Sequence, residues 1–270
     1  MTTMRVATWN LERPKGNGHS KNLRRIETIH EINADLWVLT ETHSAIALDG
    51  YVCLSTPSQP GYHREGESFA TIWSRWPIVR AVPTFDPYFA VCAEIDSPNG
   101  AMLAYGTIIT YANDPGLYGK ARRWEEHRKS ITAHASDWLR LREEFPNHIF
   151  FLAGDFNQSR DGSGWYEDAD SVATLSLALD QSSLKCITEL DMRANGLSRA
   201  TVDHICLSQS YADGVCTLGA WEGKAQDGFR MSDHNGVFID VDTRPCGKPN
   251  ARQAMLAGAL RPPIASYLER

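Results

Sequence analysis

Five short polar motifs stand at the edges of apolar runs: Thr8-Trp9-Asn10, Thr40-Glu41, Gly154-Asp155-Phe156-Asn157, Asp203-His204 and Ser232-Asp233-His234. Their side chains are carboxylates, carboxamides and imidazoles, the groups that bind a hard divalent cation through oxygen and that orient water for attack. Met4 to Trp9 precedes Asn10, Leu36 to Leu39 precedes Glu41, and Ile149 to Ala153 precedes Asp155. Short runs rich in aromatic and branched residues predict buried strands. Strand ends hold side chains rigidly and close together, so the five motifs read as one phosphate-cleaving metal site.

The elements that must position them follow from the same patterning. Ser20 to Asn33 spaces Leu23, Ile26, Ile29, His30 and Ile32 as a helix between two strands. Phe69 to Trp73, Ala90 to Ile95 and Leu103 to Tyr111 read as strands, with Ser97-Pro98-Asn99-Gly100 as a turn. Lys120 to Glu144 predicts a long charged helix whose inward stripe is Trp124, Ile131, Trp138 and Leu141, and Asp170 to Leu179 a shorter one. Gly236 to Val241 is the last predicted strand. Residues 244–250 read as a linker, and residues 251–270 as a tail with one short helix. The expected organisation is one catalytic domain over residues 1–243 followed by that tail over 244–270; no internal repeat appears.

Composition narrows the function. With 270 residues, 42% of them apolar, the chain can bury a large core. A formal charge of -6 argues against tight general binding of long nucleic acid but leaves room for a local basic cleft. Cys53, Cys92, Cys186, Cys206, Cys216 and Cys246 show no zinc spacing, so reduced and mostly buried thiols are expected. There is no signal-peptide pattern and no apolar run of about 18 residues, so a cytoplasmic protein with no membrane segment is expected. No protein partner is evident.

The fragments T-W-N-L, T-E, S-R-W-P-I (Ser74 to Ile78), G-D-F-N, V-D-H-I (Val202 to Ile205) and S-D-H-N-G-V (Ser232 to Val237), in that order, resemble the endonuclease/exonuclease/phosphatase superfamily. The likeness covers about residues 4 to 242. It implies a four-layer α/β sandwich: two mixed β-sheets face to face, helices outside, and a site at one rim. It also implies roles. Glu41 is the principal ligand of Mg²⁺ or Mn²⁺, with Asn10 and Asp233 near it; Asp155 orients or deprotonates the attacking water beside Asn157. His234 sits against the scissile phosphate, with its other ring nitrogen fixed by Asp203. The bland alternatives are a turn or cap for Asn10, a solvated strand-end acid for Glu41 and an Asx-turn for Asp155 and Asn157. Tyr111 is similar to a strand-end residue that touches phosphate, and Thr110 and Asn113 are its alternatives. His204 points away from the site by strand alternation. Glu67 reads as a solvated loop acid, with a second acidic contact as its alternative, and Arg199 stands in the same balance.

Loops decide the substrate. Gln158 to Asp170 holds Arg160, Trp165 and Tyr166, and Asn113 to Arg123 holds Tyr118, Lys120, Arg122 and Arg123. Such cations interleaved with aromatics suit phosphate and base, and Arg122, Arg123, Trp165 and Tyr166 are the expected substrate contacts. The bland alternative is a charged helix start plus two packing aromatics. The expected activity is a metal-dependent phosphodiesterase or nuclease acting on nucleic acid or a nucleotide. Two alternatives remain: a phosphomonoesterase on a soluble or lipid phosphate, and a non-catalytic binding module on the same fold.

Overall fold

The structure is a computed structural model that describes residues 3–16 and 20–243. Two parallel crossovers organise it. β1 (Thr3–Asn10) is joined through helix α1 (Ser20–Ile32) to β2 (Leu36–His43), and the two strands pair in parallel with Asn10 beside Thr40. Later in the chain come β3 (Val52–Ser55), β4 (Glu67–Ser74), β5 (Ile78–Val82), β6 (Ala90–Ser97) and β7 (Gly100–Ile108). Helix α2 (Glu125–Glu144) then carries β7 into β8 (Ile149–Asp155), again in parallel, with Ile108 beside Asp155. Helix α3 (Ala169–Gln181), β9 (Leu184–Cys186), β10 (Asp203–Ser208), β11 (Val215–Trp221) and β12 (Gly236–Asp242) complete the described chain.

Each crossover sits in its own sheet. One sheet has the order β11-β12-β1-β2-β4-β3 and the other β5-β6-β7-β8-β10-β9. β12 runs antiparallel to β1, β4 to β2 and β10 to β8. These strands therefore begin where β1, β2 and β8 end, and the C-terminal ends of one set share a rim with the N-terminal ends of the other.

Side-chain alternation produces the layers. On β8, Ile149, Phe151 and Ala153, with Ile205 of the neighbouring β10, face the other sheet, where they meet Val6, Val38, Ile72 and Val237. Phe150 and Leu152 face outward under Ile131, Trp138 and Leu141 of α2 and Leu175 and Leu179 of α3. Burial on both faces accounts for the continuous apolar run of β8. On the outer face of the other sheet, Trp9, Trp37, Leu39 and Trp73 are covered by Ile29 of α1 with Ile46, Leu48 and Met231 from loops. Helix, sheet, sheet, helix is the expected four-layer sandwich.

Several boundaries differ from the sequence reading. α1 turns Asn22, Arg25 and Ile29 inward, leaving Leu23 65% exposed, because Arg25 Nε donates to Met231 O at 3.0 Å and satisfies a loop carbonyl that leucine cannot. α2 starts at Glu125 rather than Lys120, since Trp124 adopts a left-handed φ of 69° outside the helix. β7 ends at Ile108, so Tyr111 lies in a loop. Glu67, read as a loop acid, opens β4 and is buried. The linker and tail helix expected within 244–270 lie outside the described residues. Among the described residues no helix is long and apolar enough to cross a membrane.

A buried histidine ties α2 to β7. His134 Nδ1 lies 2.8 Å from Ser130 O and Nε2 2.5 Å from Thr107 Oγ1, a pattern that a neutral ring satisfies by donating at Nδ1 and accepting at Nε2. Burial lowers its pKa to about 4. Above the ordinary value of about 6.5 the folded and unfolded chains both hold the ring neutral, and its full contribution is present. Between about 6.5 and 4 only the unfolded chain takes up the proton, so stability falls as pH falls, by up to about 3 kcal/mol. Denaturant unfolding across that range should therefore show a steeper acid loss in the wild type than in His134→Gln. Equal slopes would contradict the assignment.

Candidate active site

Four strand ends supply the polar residues at the rim. Asn10 closes β1 and is fully buried. Leu11 N donates to Thr40 O at 2.9 Å and Arg13 N to Glu41 O at 3.1 Å, so the chain leaving β1 stays laced to β2. Glu12, Arg13, Glu41 and Asn157 all adopt left-handed φ, between 44° and 52°. Backbone strain of this kind in non-glycine residues concentrates where side chains must be aimed. Gly154 has a φ of 140°, and a Cβ there would come within 2.0 Å of Thr107 O; only glycine lets β8 pass β7 this closely just before Asp155.

Asp155 and Asp203 face one another across the antiparallel β8–β10 pair. Both are buried. Asp155 Oδ2 accepts from Asn10 Nδ2 at 3.0 Å and Asn157 Nδ2 at 3.2 Å, and Oδ1 accepts from Asn157 N at 2.8 Å. Asp203 Oδ2 lies 2.6 Å from His234 Nδ1, whose Nε2 points to Asp155 Oδ2 at 3.9 Å. Trp9 Nε1 donates to His234 O at 3.0 Å. Ser232 Oγ donates to Asn10 O at 2.7 Å while accepting from His234 N at 3.1 Å. β1 thus holds both the carboxamide and the histidine loop.

The charges are densely packed. Burial, together with Asp203 and Glu41, pushes Asp155 up to about 7 against the opposing pull of His234. Burial alone would lower the His234 imidazole, but Asp203 and Asp155 outweigh it and push the ring up to about 10. Burial also raises Glu41, although its hydrogen bond with Asn10 and the charge of His234 oppose the rise. A cleft with more carboxylates than cations favours a divalent ion, and the oxygens of Glu41 and Asn10 are the hard donors that Mg²⁺ accepts. Asp203 Oδ1 is buried without a hydrogen-bond partner. Asp155, Asp203 and His234 also place ligand atoms within 4.8 Å of one another; with Nδ1 bound to Asp203, Nε2 is the ring nitrogen left to face the cleft.

A cleft of about 400 Å³ gathers Glu41, Asp155, Asn157 and His234 with Tyr111 at its mouth. Its opposite wall is Tyr62, Phe69 and Phe89. Tyr166 lies beneath, its hydroxyl accepting from Ala112 N at 3.2 Å. The structure does not gather the remaining expected residues in the same way. Asp233 is exposed, its carboxylate 3.8 Å from Arg230. Arg122 is exposed, and Arg123 lies over Trp124 at 5.3 Å. Trp165 sits outside the cleft under the Arg199 guanidinium, 4.9 Å away, and Arg199 itself donates to Asp233 O. His204 faces away from the site, as strand alternation requires, with Nε2 2.9 Å from Gln158 O.

Sequence reasoning missed a second, adjoining pocket of about 460 Å³ lined by Glu12, Arg13, Lys15, Glu41, Tyr62, Arg64 and Glu67. Glu67 orients it, accepting from Arg13 Nη2 at 2.6 Å and Arg64 N at 2.9 Å. Arg13 also covers the Tyr62 ring at 4.9 Å. The position of Arg13, three residues past Asn10, was the available signal; Tyr62 and Phe89 lie in loops that carry none.

A sequence comparison with curated proteins finds no match. Solved structures share the fold. A 3′ phosphatase from Neisseria bound to product DNA hairpin aligns at 16% identity over 88% of this chain and 99% of its own, with a TM-score of 0.64. An AP endonuclease from Leishmania major aligns at 14% over 88% and 87%, with a TM-score of 0.64. An AP endonuclease from Archaeoglobus fulgidus aligns at 13% over 88% and 99%, also at 0.64. The family model for the Endonuclease/Exonuclease/phosphatase family matches residues 7–234, a span that takes in Asn10, Glu41, Asp155, Asp203 and His234, and the chain belongs to this family of phosphoester-hydrolysing enzymes.

Proposed function

We propose that this protein is a divalent-cation-dependent phosphodiesterase that cleaves P–O bonds in nucleic acid or a nucleotide. The observation that carries the reading is the convergence of Glu41, Asn157, His234 and Asp155 on one cleft, with Asp203 locked to His234. Glu41 and Asn10 would hold Mg²⁺ or Mn²⁺, with Asp233 reaching the ion only if its exposed side chain turns inward. The bound cation supplies neutralisation of charge on the phosphate oxygens.

The protein's own residues divide the remaining work. Asp155, raised toward neutrality by burial, accepts a proton from the attacking water and orients it. Asn157 Nδ2, fixed by Ile109 O at 3.0 Å, keeps that carboxylate in place. His234 stays protonated and offers Nε2–H to a phosphate oxygen, while Asp203 fixes the ring and stabilises its charge. Tyr111, 48% exposed at the mouth, offers its hydroxyl to the phosphate from the rim.

A diester is favoured over a monoester because there are binding features on two sides of the cleft. Arg13, Lys15 and Arg64 lie beyond Glu41, and Arg199 with Trp165 lies beyond His234. An ester extended in both directions meets cations and rings on each side. Arg122, Arg123 and Tyr166 are second to these: the two arginines are exposed, and the tyrosine is not among the residues lining the cleft.

Hydrolysis of single-stranded, duplex and abasic DNA, RNA and phosphomonoesters, with Mg²⁺ or Mn²⁺ and with EDTA, tests the reading. Cleavage of a diester class should be EDTA-sensitive and fall on the order of 10³-fold in Asp155→Ala and His234→Ala. Preference for monoesters, or equal activity in the variants, would refute it. A second prediction concerns charge alone. By NMR the metal-free His234 ring should titrate far above an ordinary histidine, near pH 10, and Asp203→Asn should bring it down. An ordinary titration in the wild type would remove the proposed imidazolium.

A further inference from the structure

Away from the cleft, on the outer face of the β8-containing sheet, two cysteines stand opposite one another. Cys186 on β9 pairs in register with Cys206 on β10. Both are buried, 3% and 0% exposed. The neighbouring residues show which kind of antiparallel pair this is: Ile187 N donates to Ile205 O at 2.9 Å, so Ile187 and Ile205 occupy the hydrogen-bonded position and Cys186 and Cys206 the non-hydrogen-bonded one. Such pairs bring Cα atoms to about 4.5 Å, at the short end of the range that a disulfide spans.

The surroundings are polar for so buried a place. The Cys186 sulfur lies against Cys206 and the His204 ring. Arg160 has a side chain only 6% exposed. Its Nη2 donates to Ser176 Oγ at 3.2 Å and Glu189 Oε2 at 3.1 Å, but Nε and Nη1 are buried without hydrogen-bond partners. A guanidinium with two unpaired buried donors costs free energy unless an anion faces it, and the groups whose charge it senses first after burial are Cys186 and Cys206. The two thiols split accordingly. Burial would raise both, yet Cys206, His204 and Arg160 together hold Cys186 well below the usual thiol range, while burial and Cys186 push Cys206 well above it. Cys186 also lies on the sheet's edge strand β9, which borders a surface groove of about 410 Å³ with Glu189, Leu190 and Leu218.

We propose that Cys186 and Cys206 form a peroxide-oxidisable dithiol, with Cys186 as the attacking sulfur and Cys206 as the resolving one. The Cys186 thiolate attacks one peroxide oxygen, the O–O bond breaks, and the released hydroxide takes a proton to leave as water. Cys206, giving up its proton, then attacks the Cys186 sulfenic sulfur, and the hydroxyl leaves as a second water as the S–S bond closes. Two thiols are oxidised to one disulfide and one peroxide is reduced to two waters. Arg160 is a positioning residue that stabilises the attacking thiolate.

The full chain would be treated with sub-stoichiometric hydrogen peroxide without denaturant, alkylated, digested and mapped by mass spectrometry. A peptide pair joined through Cys186 and Cys206, lost on dithiothreitol treatment, is expected. In Cys206→Ser, a near-isosteric change, Cys186 should stop as a sulfenic acid that dimedone captures. In Arg160→Met the crosslink should form on the order of tenfold more slowly, with far-UV circular dichroism unchanged. Oxidation confined to the exposed Cys53 and Cys216, a Cys186 link to Cys216, or an Arg160→Met rate equal to wild type in a folded protein would overturn the proposal.

Discussion

One buried hydrogen bond crosses from sheet to sheet at the rim: Asn10 Nδ2 to Asp155 Oδ2, 3.0 Å. Its donor ends the first strand of the chain and its acceptor ends the last strand of the second crossover. Everything at the site is measured from it. Asn10 also anchors Ser232 through its carbonyl and so fixes the loop that carries His234, while Asp155 sets the register against which Asp203 is aligned. Both partners are almost wholly buried, so losing the carboxylate would strand Asn10 Nδ2, whereas losing Asn10 would leave Asp155 Oδ2 held only by Asn157 Nδ2.

The electrostatics follow from that packing. Bringing Glu41, Asp155 and Asp203 to one rim is unfavourable in a poorly solvated environment, and the strain appears as raised proton affinity at Asp155 and His234. The fold therefore stores a demand for positive charge beside the place where a phosphate would sit. An imbalance of opposite sign lies on the outer face, where Arg160 keeps two buried donors unpaired and senses the charge of Cys186 and Cys206. One sheet thus carries an anion-rich site on one face and a cation-held thiol pair on the other, separated by a single layer of backbone.

Strand ends were legible because burial on both sheet faces writes an uninterrupted apolar run, as in Ile149 to Ala153, and the first polar residue after it has nowhere to go but the rim. Asn10, Glu41 and Asp155 stand at or just past the ends of such runs, whereas Asp203 opens its strand and precedes one. Helix faces were less legible: Leu23 fits the apolar period of α1 yet faces solvent, because a loop carbonyl favoured Arg25. Loop residues were least so. Arg122 and Arg123 have the right chemistry for phosphate, but the turn before α2 directs them outward, whereas Arg13 is drawn to the cleft by Glu67, a partner 54 residues away. Contacts of that span leave no periodic trace in a sequence.

The pairing of β1 with β12, Thr3 opposite Asp242, has a consequence for synthesis. A nascent chain that has emerged only through β10 already holds Asn10, Glu41, Asp155 and Asp203, but it lacks His234 and the strand that closes the first sheet against β1. The polar cluster at the rim is consequently completed last, when the first and last strands of the described chain meet.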